Sequence, residues 1–131
     1  MAYKHFTSMP VWQKALKLLN EVYQCTDKFP DRERFGMTSD MRRSANSILH
    51  NIAEGYGRFE NKDKSRFYKI SRGSAYELIS QTLASFELSF LTFNDKESFV
   101  SQSIEIIDEL DKLIKTVETR KQPGLPPTFT S

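Results

Sequence analysis

The side chains able to do chemistry are few and scattered. His5 and His50 are far apart in sequence, and neither opens an H-E-x-x-H pair that would hold zinc. Cys25 is the single cysteine, with no histidine near it in sequence to take its proton, and its place on an apolar stripe makes it a small core residue. Gly55-Tyr56-Gly57 lacks the G-x-x-x-x-G-K-[ST] of a phosphate loop and reads as a helix stop. Glu54 and Glu77 could pair as carboxylates in a bundle core, but di-iron bundles need Glu-x-x-His repeats, which are absent. No catalytic residue, metal ligand or cofactor is therefore assigned, and an enzyme is not expected.

Charge is the remaining chemical signal, and it is unevenly spread. Residues 1–57 carry eight basic and six acidic side chains. Residues 58–72 carry six basic ones, Arg58, Lys62, Lys64, Arg66, Lys69 and Arg72, against Glu60 and Asp63. Residues 73–131 carry five basic against nine acidic, which leaves a formal net charge of +2. The basic stretch also holds Phe59, Phe67 and Tyr68, which could stack on bases. Its functional reading is a phosphate-binding patch acting through counterion release. The competing reading is a solvated helix start, with the aromatics in the core. A pI of about 8.7 lies below the usual range of nucleic-acid-binding domains.

The chain has 131 residues, enough for one core and not for two. Sixteen aromatics (ten Phe, five Tyr, one Trp) provide ample surface to bury, which argues against disorder. A lone cysteine excludes a disulfide scaffold. No apolar run is long enough to span a membrane. The first ten residues contain no apolar leader, so the cytoplasm is the expected compartment.

Proline is absent from residues 31–122, and only four glycines interrupt that stretch, which favours helices over strands. The periodicity predicts four. Helix 1 runs from Pro10 to Asp27, capped by Ser8, with Val11, Ala15, Leu18, Val22 and Cys25 on one stripe. Helix 2 runs from Met37 to Glu54, with Met41, Ala45, Ile48 and Ile52 inward and a left-handed glycine at 55 or 57 ending it. Helix 3 runs from Lys62 to Phe93, with a heptad seam of Tyr76, Ile79, Leu83, Phe86, Phe90 and Phe93 turned to its own core. Helix 4 runs from Asp95 to Lys121, opened by an Asn94/Glu97 capping box and lined by Val100, Ser103, Ile107, Leu110, Ile114 and Val117. The expected fold is all-α, an up-down-up-down antiparallel four-helix bundle over residues 1–121 followed by a flexible tail, 122–131.

Helices 2 and 3 each show a second face. Arg43, Ser47, Asn51 and Glu54 share one on helix 2, and Arg66, Ile70, Gly73, Glu77, Gln81, Ala84, Leu88 and Leu91 fall together on helix 3. In an antiparallel pair, opposed residue numbers add to a constant. A value of 120 matches Glu54 to Arg66, Ser47 to Gly73 and Arg43 to Glu77. At 32 residues helix 3 would be roughly 48 Å long, against about 27 Å for helices 1 and 2. The overhang and the apolar Ala84, Leu88 and Leu91 predict a homo-oligomer in which this seam is covered.

Four segments, VWQKALKLLNEVY (11–23), FPDRERFGMTSDMRRSANSI (29–48), NIAEGYGR (51–58) and GSAYEL (73–78), resemble the four-helix-bundle proteins encoded in intervening sequences of bacterial large-subunit ribosomal RNA genes. The resemblance covers roughly residues 5–121. Trp12, Arg42, Arg43, Asn51 to Gly55, Arg66, Phe67, Gly73, Ser74, Glu77 and Leu78 match the family's pattern. The resemblance implies an up-down bundle and a homopentamer. It also implies kinship with the accessory variability protein of diversity-generating retroelements, a basic barrel that binds reverse transcriptase and nucleic acid. This chain departs from the family at Leu49, where a proline is frequent, so helix 2 should be straighter. Lys64, Lys69 and Arg72 replace residues expected to be apolar or neutral, which adds local positive charge.

Two readings of function follow. One is a non-enzymatic, homo-oligomeric interaction protein whose basic surface binds RNA, DNA or a nucleic-acid enzyme. The other is a protein-binding scaffold with no nucleic-acid role. A small-ligand-binding bundle is a remote third.

Overall fold

The computed structural model describes residues 6–122. It is an all-α antiparallel four-helix bundle: α1 (Pro10–Thr26), α2 (Met37–Gly57), α3 (Asn61–Glu87) and α4 (Phe93–Thr119), with single 3-10 turns at Phe6–Ser8 and Asp31–Glu33. Sequential helices pack on one another, and α1 also packs on α4. Among the described residues the diagonal pairs α1/α3 and α2/α4 do not approach, so the helices stand at the corners of a square.

Three inner faces follow the apolar periodicity. Val11, Ala15, Leu18 and Val22 are buried on α1, and Thr26 takes the inward place expected of Cys25. Met41, Ala45, Ile48 and Ile52 are buried on α2, which runs unbroken through Leu49. Ser103, Ile107, Leu110, Ile114 and Val117 are buried on α4, together with Phe99 and Ile106.

Helix α3 departs from expectation. Its buried face is Ser65, Tyr68, Ser71, Ser74, Ala75, Leu78, Thr82 and Ser85, mostly small hydroxyl residues. The heptad seam lies instead on the flank toward α4, with Tyr76 58% and Leu83 45% exposed. The cause is the closeness of α2. Ser47 and Ser74 share a hydrogen bond of 2.7 Å, and Ser71 Oγ donates to the Ile48 carbonyl at 2.8 Å. Small side chains let these backbones approach, and the Ser47, Ser71 and Ser74 hydroxyls stay paired after burial, whereas Thr82 Oγ1 has no hydrogen-bond partner among the described residues. These contacts have number sums of 121 and 119, either side of the expected 120. The small–small contact, however, is Ser47 with Ser74. Gly73 is exposed, and a β-carbon added there would meet no atom within 4 Å.

Helix ends differ as well. Met9 is the N-cap of α1 and Gly36 that of α2, neither with a side-chain cap bond. No described glycine has positive φ, so Gly55 and Gly57 are helical residues rather than left-handed stops. Helix α3 ends at Glu87, six residues early, where Ser89 turns left-handed at φ 66°. Ser89 N–H donates to Phe86 O and Phe90 N–H to Ser85 O, the paired bonds of a Schellman motif. That turn shortens α3 from the expected 32 residues to 27, matching α4, but α3 remains longer than α1 at 17 and α2 at 21, so part of the overhang persists. The turn also folds Leu91 into the chain's own core while Leu88 stays 55% exposed. Thr92 caps α4 by accepting from Asp95 N–H, in place of the Asn94/Glu97 box. Of the expected tail only Gln122 falls inside the described residues. Its Oε1 accepts from Asn61 N–H at 2.6 Å and its Nε2 donates to Phe59 O, pinning it to the α2–α3 turn.

Candidate functional site

The antiparallel run of α3 and α4 brings the basic start of α3 against the end of α4. Between them lies an open groove of about 840 Å³. Lys62, Arg66, Lys69 and Arg120 line it with Asp63 and Glu118, over a floor that includes Ile70 and Val117. Ser65 Oγ and Lys69 Nζ both donate to Glu118 Oε2, at 2.5 and 2.6 Å. Lys69 first, then Ser65, holds that carboxyl below the ordinary glutamate range. Asn61 is buried and closes the end of the groove, donating from Nδ2 to Arg120 O while its Oδ1 accepts from Arg120 Nη2.

The six expected cations are not equally available. Lys64 Nζ donates to Tyr56 O at 2.7 Å and to Gly55 O at 3.4 Å, capping the end of α2. Burial, then the nearby Arg120, lowers its pKa. Arg72 is paired with Asp111 at 2.7 Å. Arg58 is paired with Glu54 at 3.0 Å. The Arg58 and Arg66 guanidinium groups both lie within 5 Å of the Phe67 ring centroid, at 4.7 and 4.3 Å. Arg66 has only a loose contact to Asp63, at 3.9 Å. Lys62 is exposed. Tyr68 is buried, with its phenol pushed up to about 12 by burial, so it offers no face to a base.

The interhelical charges pair locally instead of across α2 and α3. Glu54 is held by Arg58, Arg43 by Asp40 and Arg66 by Asp63, which leaves Glu77 exposed without an ion pair among the described residues. Pairs three or four residues apart on one helix need no precise interhelical distance, which favours them. Asn51 Nδ2 donates to Ser47 Oγ and O, extending the Ser47–Ser74 contact. Gln81 is half-buried, with its Oε1 lacking a hydrogen-bond partner among the described residues. Asn61, Glu118, Arg120 and Gln122 were not anticipated, because nothing in sequence links them to a segment some sixty residues away.

Among the described residues, the other reactive groups give no second site. Cys25 is half-buried, and its thiol donates to Asp95 Oδ2 at 3.6 Å. Burial, then Asp95, pushes it up to about 12. His50 is exposed on α2, and His5 lies outside the described residues. Among the described residues no three His, Cys, Asp or Glu are grouped to hold a metal ion, and no helix is long and apolar enough to cross a membrane.

The model of the 23S rRNA-intervening sequence protein family matches residues 7–114. The chain belongs to that family. A solved structure from Bacteroides thetaiotaomicron, a protein of unknown function from the S23 ribosomal protein family, superposes with a TM-score of 0.75 at 24% identity. The alignment covers 80% of this chain and 98% of that one. Curated proteins give no match. For this intervening-sequence protein the likeness to the Bacteroides structure establishes the bundle, which carries the groove between α3 and α4.

Proposed function

We propose that this intervening-sequence protein is a non-enzymatic, homo-oligomeric interaction protein, pentameric as its family resemblance implies, whose basic groove takes the phosphate backbone of nucleic acid or of a ribonucleoprotein partner. The observation that carries the reading is the convergence of Lys62, Arg66, Lys69 and Arg120 on one groove with apolar Ile70 and Val117 in its lining. Phosphates suit the cations, and the apolar lining suits a base edge or ribose. Lys62 and Arg66 are the most available, while Lys69 and Arg72 serve first to join α3 to α4. One chain therefore offers about three phosphate contacts, and assembly of several chains multiplies them. The outward Tyr76 and Leu83 supply apolar surface for that assembly.

The test is titration of labelled single-stranded RNA at increasing salt. Three phosphate contacts give a slope near −2, so affinity should fall about 20-fold between 50 and 200 mM salt. Lys62→Ala with Arg66→Ala should flatten the slope. Binding that is absent, or indifferent to salt, contradicts the groove and favours the alternative of a protein-binding scaffold with no nucleic-acid role. Nucleic acid copurifying with the wild-type chain separates the two in the same sense.

A further inference from the structure

Phe35 is 87% exposed, more than any other large apolar side chain described. It stands in the turn just before α2, with the Arg34 guanidinium 5.3 Å from its ring centroid. The cleft beside it, about 440 Å³, is lined by Tyr23 of α1 and by Thr38, Arg42 and Asn46 of α2, which places Phe35 on the α1–α2 face. A second apolar surface lies on the α3–α4 face. Arg72 reaches Asp111 of α4, and Tyr76, Ile79, Leu83 and Phe86 continue its stripe along α3 at intervals of three and four. The stripe ends where Phe86 meets Phe93 edge-to-face at 6.3 Å, with Leu88 and Phe93 both more than half exposed.

The two surfaces lie at one level. Phe29 touches Phe90 at 5.5 Å between centroids, so the α1–α2 corner and the α3–α4 corner share one end of the bundle. They also lie on opposite faces of the square, and no chain can cover one with the other. A two-fold dimer cannot pair them reciprocally either, because its partners share a single face. Charge completes the match. Arg34 has no ion pair among the described residues, and neither does Glu87, which is exposed beside Phe86. Lys96, which covers Phe86 and Phe93, is already neutralised by Glu97 at 2.9 Å.

We infer that Phe35 and Arg34 of one copy seat on the Leu83–Phe86–Phe93 surface of a second copy, with Arg34 against Glu87, in a head-to-tail contact. Exposed phenylalanine and arginine are suited to this role, since a buried aromatic with an adjacent guanidinium is a recurrent anchor of interfaces. A head-to-tail contact closes into a ring or extends into a fibre according to its rotation. The inference rests on the oligomeric reading and names the residues that would make the contact.

The test uses the full chain and light scattering across micromolar concentrations. Phe35→Ser and Leu83→Ser change exposed residues, and circular dichroism confirms that each stays helical. Each should raise the concentration needed for assembly by about tenfold or more. Mixed together, the two variants retain one good contact between them and should form a two-chain species of about 30 kDa, twice 15.2 kDa, and nothing larger. Arg34→Glu and Glu87→Arg should each weaken assembly, and combining them in one chain should restore it. A wild type that stays at 15.2 kDa overturns the oligomeric reading and this contact together. An assembled wild type whose Phe35→Ser variant keeps its mass overturns the contact alone and leaves Phe35 for a foreign partner. Variants that remain single chains when mixed also overturn it.

Discussion

Gly55 lies directly against Tyr68: a β-carbon at Gly55 would sit 2.6 Å from Tyr68 Cε1 and 2.8 Å from Cδ1. The phenol ring is buried, so it has nowhere to retreat. This contact, with Ser47–Ser74 above it, sets how closely α2 and α3 approach.

Gly55→Ala should therefore destabilise the fold by about 1–3 kcal/mol, the usual cost of overpacking a core. Gly73→Ala, at an exposed helical position with open space around it, should be neutral or stabilising by up to about 1 kcal/mol. Urea unfolding of both variants checks the pair. Equal midpoints would show that the close approach is not at Gly55.

Ser89 holds the left-handed position that ends α3. Ser89→Gly relieves the strain of φ 66° and should leave stability unchanged or raised, the relief offsetting glycine's greater unfolded-state freedom. Ser89→Val, β-branched in the same conformation, should cost about 1–2 kcal/mol. Thermal melts in which valine matches serine would contradict the turn.

Glu118 titrates below the ordinary glutamate value because Lys69, then Ser65, binds its carboxylate. Its folded pKa lies below the unfolded one, so its contribution is fully present above about pH 4.3 and is lost as pH falls through the folded value. Lys69→Met should move the midpoint back up toward about 4.3, read by NMR of the side-chain carboxyl. An unmoved midpoint contradicts the pairing.

Cys25 should be nearly inert. A thiol at about 12 has on the order of one thiolate in ten thousand at pH 8, far less than a free cysteine. Iodoacetamide should modify it slowly, and Asp95→Asn, which removes the adjacent carboxylate, should speed the reaction. A wild-type rate equal to that of a free thiol would contradict the geometry.

The inner faces of α1, α2 and α4 were legible because apolar residues there repeat at helical spacing and nothing competes with them. On α3 the same rule misleads, since the most apolar stripe, Tyr76 to Phe86, is not the buried one. Close packing by small residues selects the interior there, and Ser65, Ser71, Thr82 and Ser85 carry no hydrophobic signal. The early end of α3 was hidden because a serine, not glycine or asparagine, occupies the left-handed position. Lys62, Arg66 and Lys69 stood out by charge alone. Their partners Glu118 and Arg120 became visible only when the antiparallel turn brought the end of α4 beside them.

The outward stripe of α3 is proposed to lie in an interface between copies of this chain. Light scattering on the wild-type chain, eluting from a sizing column at micromolar concentration, tests it most directly. Assembly predicts a mass several times 15.2 kDa, about 76 kDa for five chains. A single peak at 15.2 kDa that persists as concentration rises would contradict it.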